Sequence, residues 1–127
     1  MNYLKTSAGV HRLVSSDFEK WIKPEKTTSQ IYDKINELIT LHGGSIAFPP
    51  GISINEVAAH DSAYLNDQRT ITKNDVVKID IGVHTNGYII DCAKTYDFSG
   101  ENNTIIESTR TATDEVIKAI GAGSRVI

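Results

Sequence analysis

The chain has 127 residues, with 13 Lys and Arg against 16 Asp and Glu, a net charge of -3; that length suits one domain, or part of a larger one, and excludes an ordinary two-domain enzyme. Apolar residues at 39% and charged residues at 23% exclude disorder, collagen and coiled coil, and no stretch nears the roughly 18 apolar residues of a membrane helix. The opening MNYLKTSAGVHRL lacks the apolar region of a secretory signal, the scattered basic residues argue against nucleic acid as a partner, and the lone Cys92 can form no internal disulfide, which together lead us to expect a cytoplasmic protein.

In chain order, the first predicted helix runs from about Ser7 to Ile22, where Val10, Leu13, Val14, Phe18, Trp21 and Ile22 recur at helical spacing. Pro24 ends it, because the residue before a proline avoids helical angles. A second helix starts near Thr27, which forms a capping-box pattern with Gln30; Ile31, Ile35, Leu38, Ile39 and His42 share a stripe, and Gly43-Gly44 supplies the stop. The period then changes. Ile46–Phe48 reads as a short strand broken by Pro49-Pro50-Gly51, Ser53–His60 is extended or irregular, and Asn66-Asp67 marks a turn. Val76–Val83 is rich in β-branched residues, Asn86-Gly87 is a two-residue hairpin turn, and Tyr88–Phe98 is the returning strand. A last helix opens at Thr104, with Glu107 completing a capping box, and stops at Gly121; Val116, Ile117 and Ile120 would face the core.

The hairpin carries the chemistry. With Asn86-Gly87 as the loop, Val83 pairs with Ile90, Gly82 with Asp91 and Asp80 with Ala93. Asp80 and Asp91 then share a face as diagonal neighbours, about 7–8 Å apart. The other face holds Ile79, Ile81, Val83, Ile90 and Cys92, which must pack on the helices. Two carboxylates this close repel when both are ionised, so a cation, a basic side chain or a shared proton should compensate. Two divalent ions about 3.5–4 Å apart fit the span, and Gly82 beside Asp91 would leave room for them. Equally, both aspartates could be solvated on an open face, or paired with Lys78 or Lys94.

Other residues read both ways. His60, after Ala58-Ala59, could donate a proton or a hydrogen bond to a substrate carbonyl, or it could be a loop histidine bonded to backbone. His84 shares the aspartate face and could be a ligand or a turn-flanking residue. His11 and His42 read as ordinary helix residues, and Phe48 as a pocket wall or as core. Cys92 reads as inert packing, since no basic group near it would lower its pKa.

The runs AFPPGISINEVAAH (Ala47–His60) and KIDIGVHTNGYIIDCAKT (Lys78–Thr95) resemble the type 2 methionine aminopeptidases, and the spacing of His60, Asp80 and Asp91 matches. The resemblance reaches upstream through WIKP (Trp21–Pro24) and covers nearly the whole chain. It implies an α+β fold, the N-terminal half of the pita-bread architecture, with an antiparallel sheet and helices packed on one face, and residues 1–127 forming one incomplete catalytic domain. It further implies two divalent ions (Mn, Fe, Co or Zn), with Asp80 chelating and Asp91 bridging. His60 would contact substrate and aid proton transfer, and Phe48 would wall the methionine pocket. The implied reaction is hydrolysis at the N-termini of peptides or nascent proteins, by a water whose pKa the ions lower.

Two departures stand out. After His60 the chain reads Asp61-Ser62-Ala63-Tyr64, where relatives usually have an aromatic, a Thr and a Pro. The family's catalytic domain also continues well beyond the matched region, supplying further ligands that nothing after Asp91 replaces. Glu101, Glu107 and Glu115 should lie behind the sheet. Three readings follow: an inactive fragment of the enzyme, a half that works as a homodimer or with a separate C-terminal half, and a non-enzymatic binding module.

Overall fold

Helix α1 (Tyr3–Trp21) starts about one turn earlier than its apolar stripe, because Asn2 caps it, accepting from the Lys5 amide at 3.4 Å. The computed structural model describes residues 2–125. Helix α2 (Thr28–Leu41) begins at the expected capping box: the Thr27 hydroxyl accepts from the Gln30 amide and the Gln30 side chain accepts from the Thr27 amide, both at 3.1 Å. Gly43, at φ 76°, ends it.

Three stretches then build one antiparallel sheet around a central strand. Strand β3 (Val76–Thr85) pairs along its whole length with β4 (Tyr88–Asp97), Gly82 opposite Asp91 and Asp80 opposite Ala93, which is the register predicted from the Asn86-Gly87 turn. On its other side β3 pairs with β1 (Ser45–Ile46) toward one end and β2 (Gly51–Ile54) toward the other. The short strand predicted at Ile46–Phe48 is thus shifted, and the irregular Ser53–His60 stretch contributes only its first residues to β2. Phe48 to Pro50 bulge out between β1 and β2, because two prolines cannot donate to a ladder.

Helices α1 and α2 cover one face of this sheet. Val14, Phe18, Ile31, Ile35, Ile39, Ile52, Val77 and Val83 are fully or almost fully buried between the layers. An aromatic chain closes one end: Phe18 lies 6.1 Å from Tyr96, ring centre to ring centre, and Tyr96 stacks on Phe98 at 6.5 Å. The cover over β4 is partial. Ile90 is only half-buried and Cys92 is exposed, beside a cavity of about 210 Å³ lined by His11, Ser15, Ile79, Ile81, Cys92 and Tyr96. Cys92 is therefore not the packed residue its alternation predicts, although partial burial, with the charges of Asp91 and Asp80, pushes its thiol up and keeps it protonated.

Helix α3 (Asn103–Ala119) departs from expectation most. No residue of it is buried, and Val116, Ile117 and Ile120 are more than half exposed instead of facing the core. Its N-cap is Asn102, which makes no side-chain cap bond, so the Thr104–Glu107 capping box does not form. Glu107 and Glu115 pair locally with Arg110 and Lys118, and the helix does not lie behind the sheet. No described helix is long and apolar enough to cross a membrane.

Candidate metal centre

The face of the hairpin turned away from the helices carries both aspartates. Their placement follows from strict two-residue alternation across a two-residue turn, with no bulge in the β3–β4 ladder to flip Asp91. Asp80 is half-buried and Asp91 exposed. Burial first, and then the neighbouring Asp91 carboxylate, raise the Asp80 carboxyl above the usual range; the charge of nearby His60 opposes the shift. Asp80 Oδ1 is buried and has no hydrogen-bond partner.

The lysines that could have compensated are engaged elsewhere. Lys78 donates to the Asn55 carbonyl at 2.5 Å. Lys94 lies on the opposite face and pairs with Glu19 at 2.6 Å. What remains is an electron-rich pair with an orphaned buried oxygen, a donor set that suits a hard cation. Among the described residues, no group of three or more His, Cys, Asp or Glu side chains is arranged to hold a metal ion.

Phe48 projects from the bulge onto β3. A Cβ on Gly82 would collide with the Phe48 ring, so the space above Gly82 holds an aromatic ring and not the ion cargo that the sequence led us to expect there. Gly51 serves a similar purpose opposite Asp80: its absent Cβ would fall 2.9 Å from Asp80 Cβ. The two glycines thus let Phe48 and Asp80 sit close against backbone.

His60 is exposed and adopts φ 63°, a left-handed conformation uncommon for a side-chain-bearing residue. The residue after it is pinned, as the Ile52 amide donates to the Asp61 carbonyl at 2.7 Å. His84 shares the aspartate face but its Nδ1 accepts from the Gly87 amide at 3.2 Å, which makes it a turn residue. His11 and His42 do more than decorate helices. His11 Nε2 meets the Ile81 carbonyl at 3.2 Å, and burial lowers its pKa; His42 Nε2 meets Asp17 at 3.0 Å.

One cluster escaped the sequence reading. Arg69 bridges Asp61 at 2.5 Å and the fully buried Asp67 at 2.7 Å. The guanidinium holds the Asp67 carboxyl far below the usual range, and the two carboxylates push Arg69 up. The signal was there in three charges within nine positions, but their convergence depends on the loop's path.

Comparison with known proteins places this arrangement. Residues 2–126 match the model of metallopeptidase family M24, and the chain belongs to that family. It is 36% identical to methionine aminopeptidase 2 of Clavispora lusitaniae over 96% of this chain and 30% of that protein. It is also 36% identical to a methionine aminopeptidase of Thermococcus onnurineus, over 92% of this chain and 40% of the relative. The chain therefore spans well under half the length of these relatives. In structure it resembles the methionine aminopeptidase of Thermotoga maritima, with a TM-score of 0.81 at 23% identity over 95% of this chain and 52% of that one. The same organism's X-Pro aminopeptidase gives 0.65 at 17% identity, over 73% of this chain and 26% of that one. The pita-bread fold expected from the resemblance is the fold observed.

Proposed function

We propose that residues 1–127 form one incomplete catalytic domain, the N-terminal portion of a metal-dependent methionyl aminopeptidase, which removes the first methionine of nascent proteins in the cytoplasm. The observation that carries this reading is the Asp80–Asp91 pair on one face, with a buried Asp80 oxygen lacking any donor. Bound there, two divalent ions, whether Mn, Fe, Co or Zn, would supply a water acidic enough to attack a peptide carbonyl near neutral pH. Asp80 and Asp91 would hold these ions, Asp80 as a chelating carboxylate and Asp91 as a shared one. His60 donates a hydrogen bond to the substrate carbonyl and moves a proton, and the Phe48 ring forms one wall for the methionine side chain.

Two carboxylates are too few to hold two ions firmly, so the isolated monomer is inactive in this reading. The remaining ligands come from a C-terminal half, in the same chain or a separate one, or from a second copy. Two features support such completion: among the described residues β4, which carries Asp91, pairs only with β3, and the apolar stripe of α3 is bare.

The test is calorimetric titration of Mn²⁺ into the wild type and Asp91→Asn, with methionine release from Met-Ala-Ser followed in parallel. Binding lost in Asp91→Asn, with release only when a C-terminal half is supplied or the chain dimerises on Mn²⁺, supports the reading. Equal Mn²⁺ affinity in the two proteins once each is completed by a C-terminal half or a second copy overturns it.

A further inference from the structure

The loop from Asn55 to Asp75 contains no regular element, yet it must hold His60 in place. Besides the Ile52 amide bond to the Asp61 carbonyl, three side-chain threads could do so. Asn55 and Asp75 clip its two ends together at 2.7 Å. The Ser62 hydroxyl donates to the Pro50 carbonyl, also at 2.7 Å. Arg69 is the third, and it joins the residues after His60 to Asp67. Its Nη1 donates to Asp61 Oδ2 at 2.5 Å, its Nη2 to the Ser62 carbonyl at 3.0 Å, and its Nε and Nη2 to Asp67 Oδ2 at 3.0 and 2.7 Å. The Tyr64 ring lies 5.3 Å from the guanidinium carbon.

The far end of this brace is fixed to the body. The Ser29 hydroxyl donates to the Asp67 carbonyl at 2.7 Å and the Thr28 amide to the Arg69 carbonyl at 2.8 Å, both at the start of α2. The near end reaches the residue next to His60, whose carbonyl lies beside Gly51, the partner of Asp80. A planar, forked cation suits the task because it can engage two carboxylates and a carbonyl at once.

We propose that Arg69 is a positioning residue for His60: by tying Asp61 to the anchored Asp67, it fixes the left-handed turn on which the imidazole stands beside Asp80. The inference rests on the reading of His60 as the group that meets substrate. An unbraced loop would let the imidazole wander, and proton transfer needs it within hydrogen-bond reach.

The experiment is NMR relaxation on the ¹⁵N-labelled full chain without added metal, comparing the wild type with Asp61→Ala, Arg69→Ala and Arg69→Lys. The wild-type His60 amide should have an order parameter of roughly 0.85, falling below about 0.6 in Asp61→Ala. The His60 ring signals should shift toward those of an unconstrained histidine, while β3 and β4 amide signals stay in place. Arg69→Lys should restore part of the order lost in Arg69→Ala, since an ammonium keeps the charge without the fork. Unchanged His60 order and ring signals in Asp61→Ala overturn the proposal. Asp61→Ala leaves the Arg69–Asp67 pair intact, so it decides the matter even if Arg69→Ala fails to fold. Because no metal or turnover enters the measurement, an Asp91→Asn protein that binds Mn²⁺ as well as the wild type when both are completed defeats the functional reading and leaves this one standing or falling by itself.

Discussion

Helices α1 and α3 have 19 and 17 residues and both carry an apolar stripe, but α1 buries Val10, Val14 and Phe18 whereas α3 buries nothing. The difference lies in what each helix finds opposite it. Ile79, Ile81 and Val83 of β3 meet α1, while among the described residues no strand packs against the apolar stripe of α3. Amphipathic spacing states that a helix has a face to bury; it does not say that the partner is present.

Substitutions can break that contrast or sharpen it. The largest effect should come from Phe18→Ala. It removes a fully buried ring at the α1–β4 junction and should cost about 3–5 kcal/mol by denaturant unfolding. A loss under about 1 kcal/mol would mean that α1 is no better packed than α3.

An intermediate effect is expected from acid. Asp67 is held well below its usual range by Arg69, and Asp97 is held at about 2, chiefly by the Ser99 hydroxyl and then by the Asn102 amide. For groups with lowered folded pKa, the unfolded state takes up protons first. Their stabilisation is complete above the unfolded value, near about 4, and is lost as pH falls through the folded one. Thermal unfolding followed by Trp21 fluorescence should therefore show a midpoint that drops between about pH 4 and pH 2, with a shallower drop in Asp67→Asn. An equal slope in that variant would remove the Arg69 brace from the stability of the body.

The smallest effect belongs to α3. Ile117→Ala acts on a side chain 66% exposed and should change stability by no more than about 0.5 kcal/mol at low protein concentration. A larger, concentration-dependent loss would place the α3 stripe in an interface between copies.

By itself the sequence determined the two packed helices, with the capping box of α2, and the register of the hairpin. It also determined the common face of Asp80 and Asp91. These are local matters: helical period, a two-residue turn and strict alternation fix them without reference to distant chain. Only the tertiary structure decided the rest. The ring of Phe48 fills the space over Gly82, Lys78 and Lys94 turn to other partners, α3 stands uncovered, and Arg69 draws Asp61 and Asp67 together. Each depends on where an irregular segment runs or on what lies opposite an element. Neither is encoded in a period, because both are set by the packing of residues far apart in the chain.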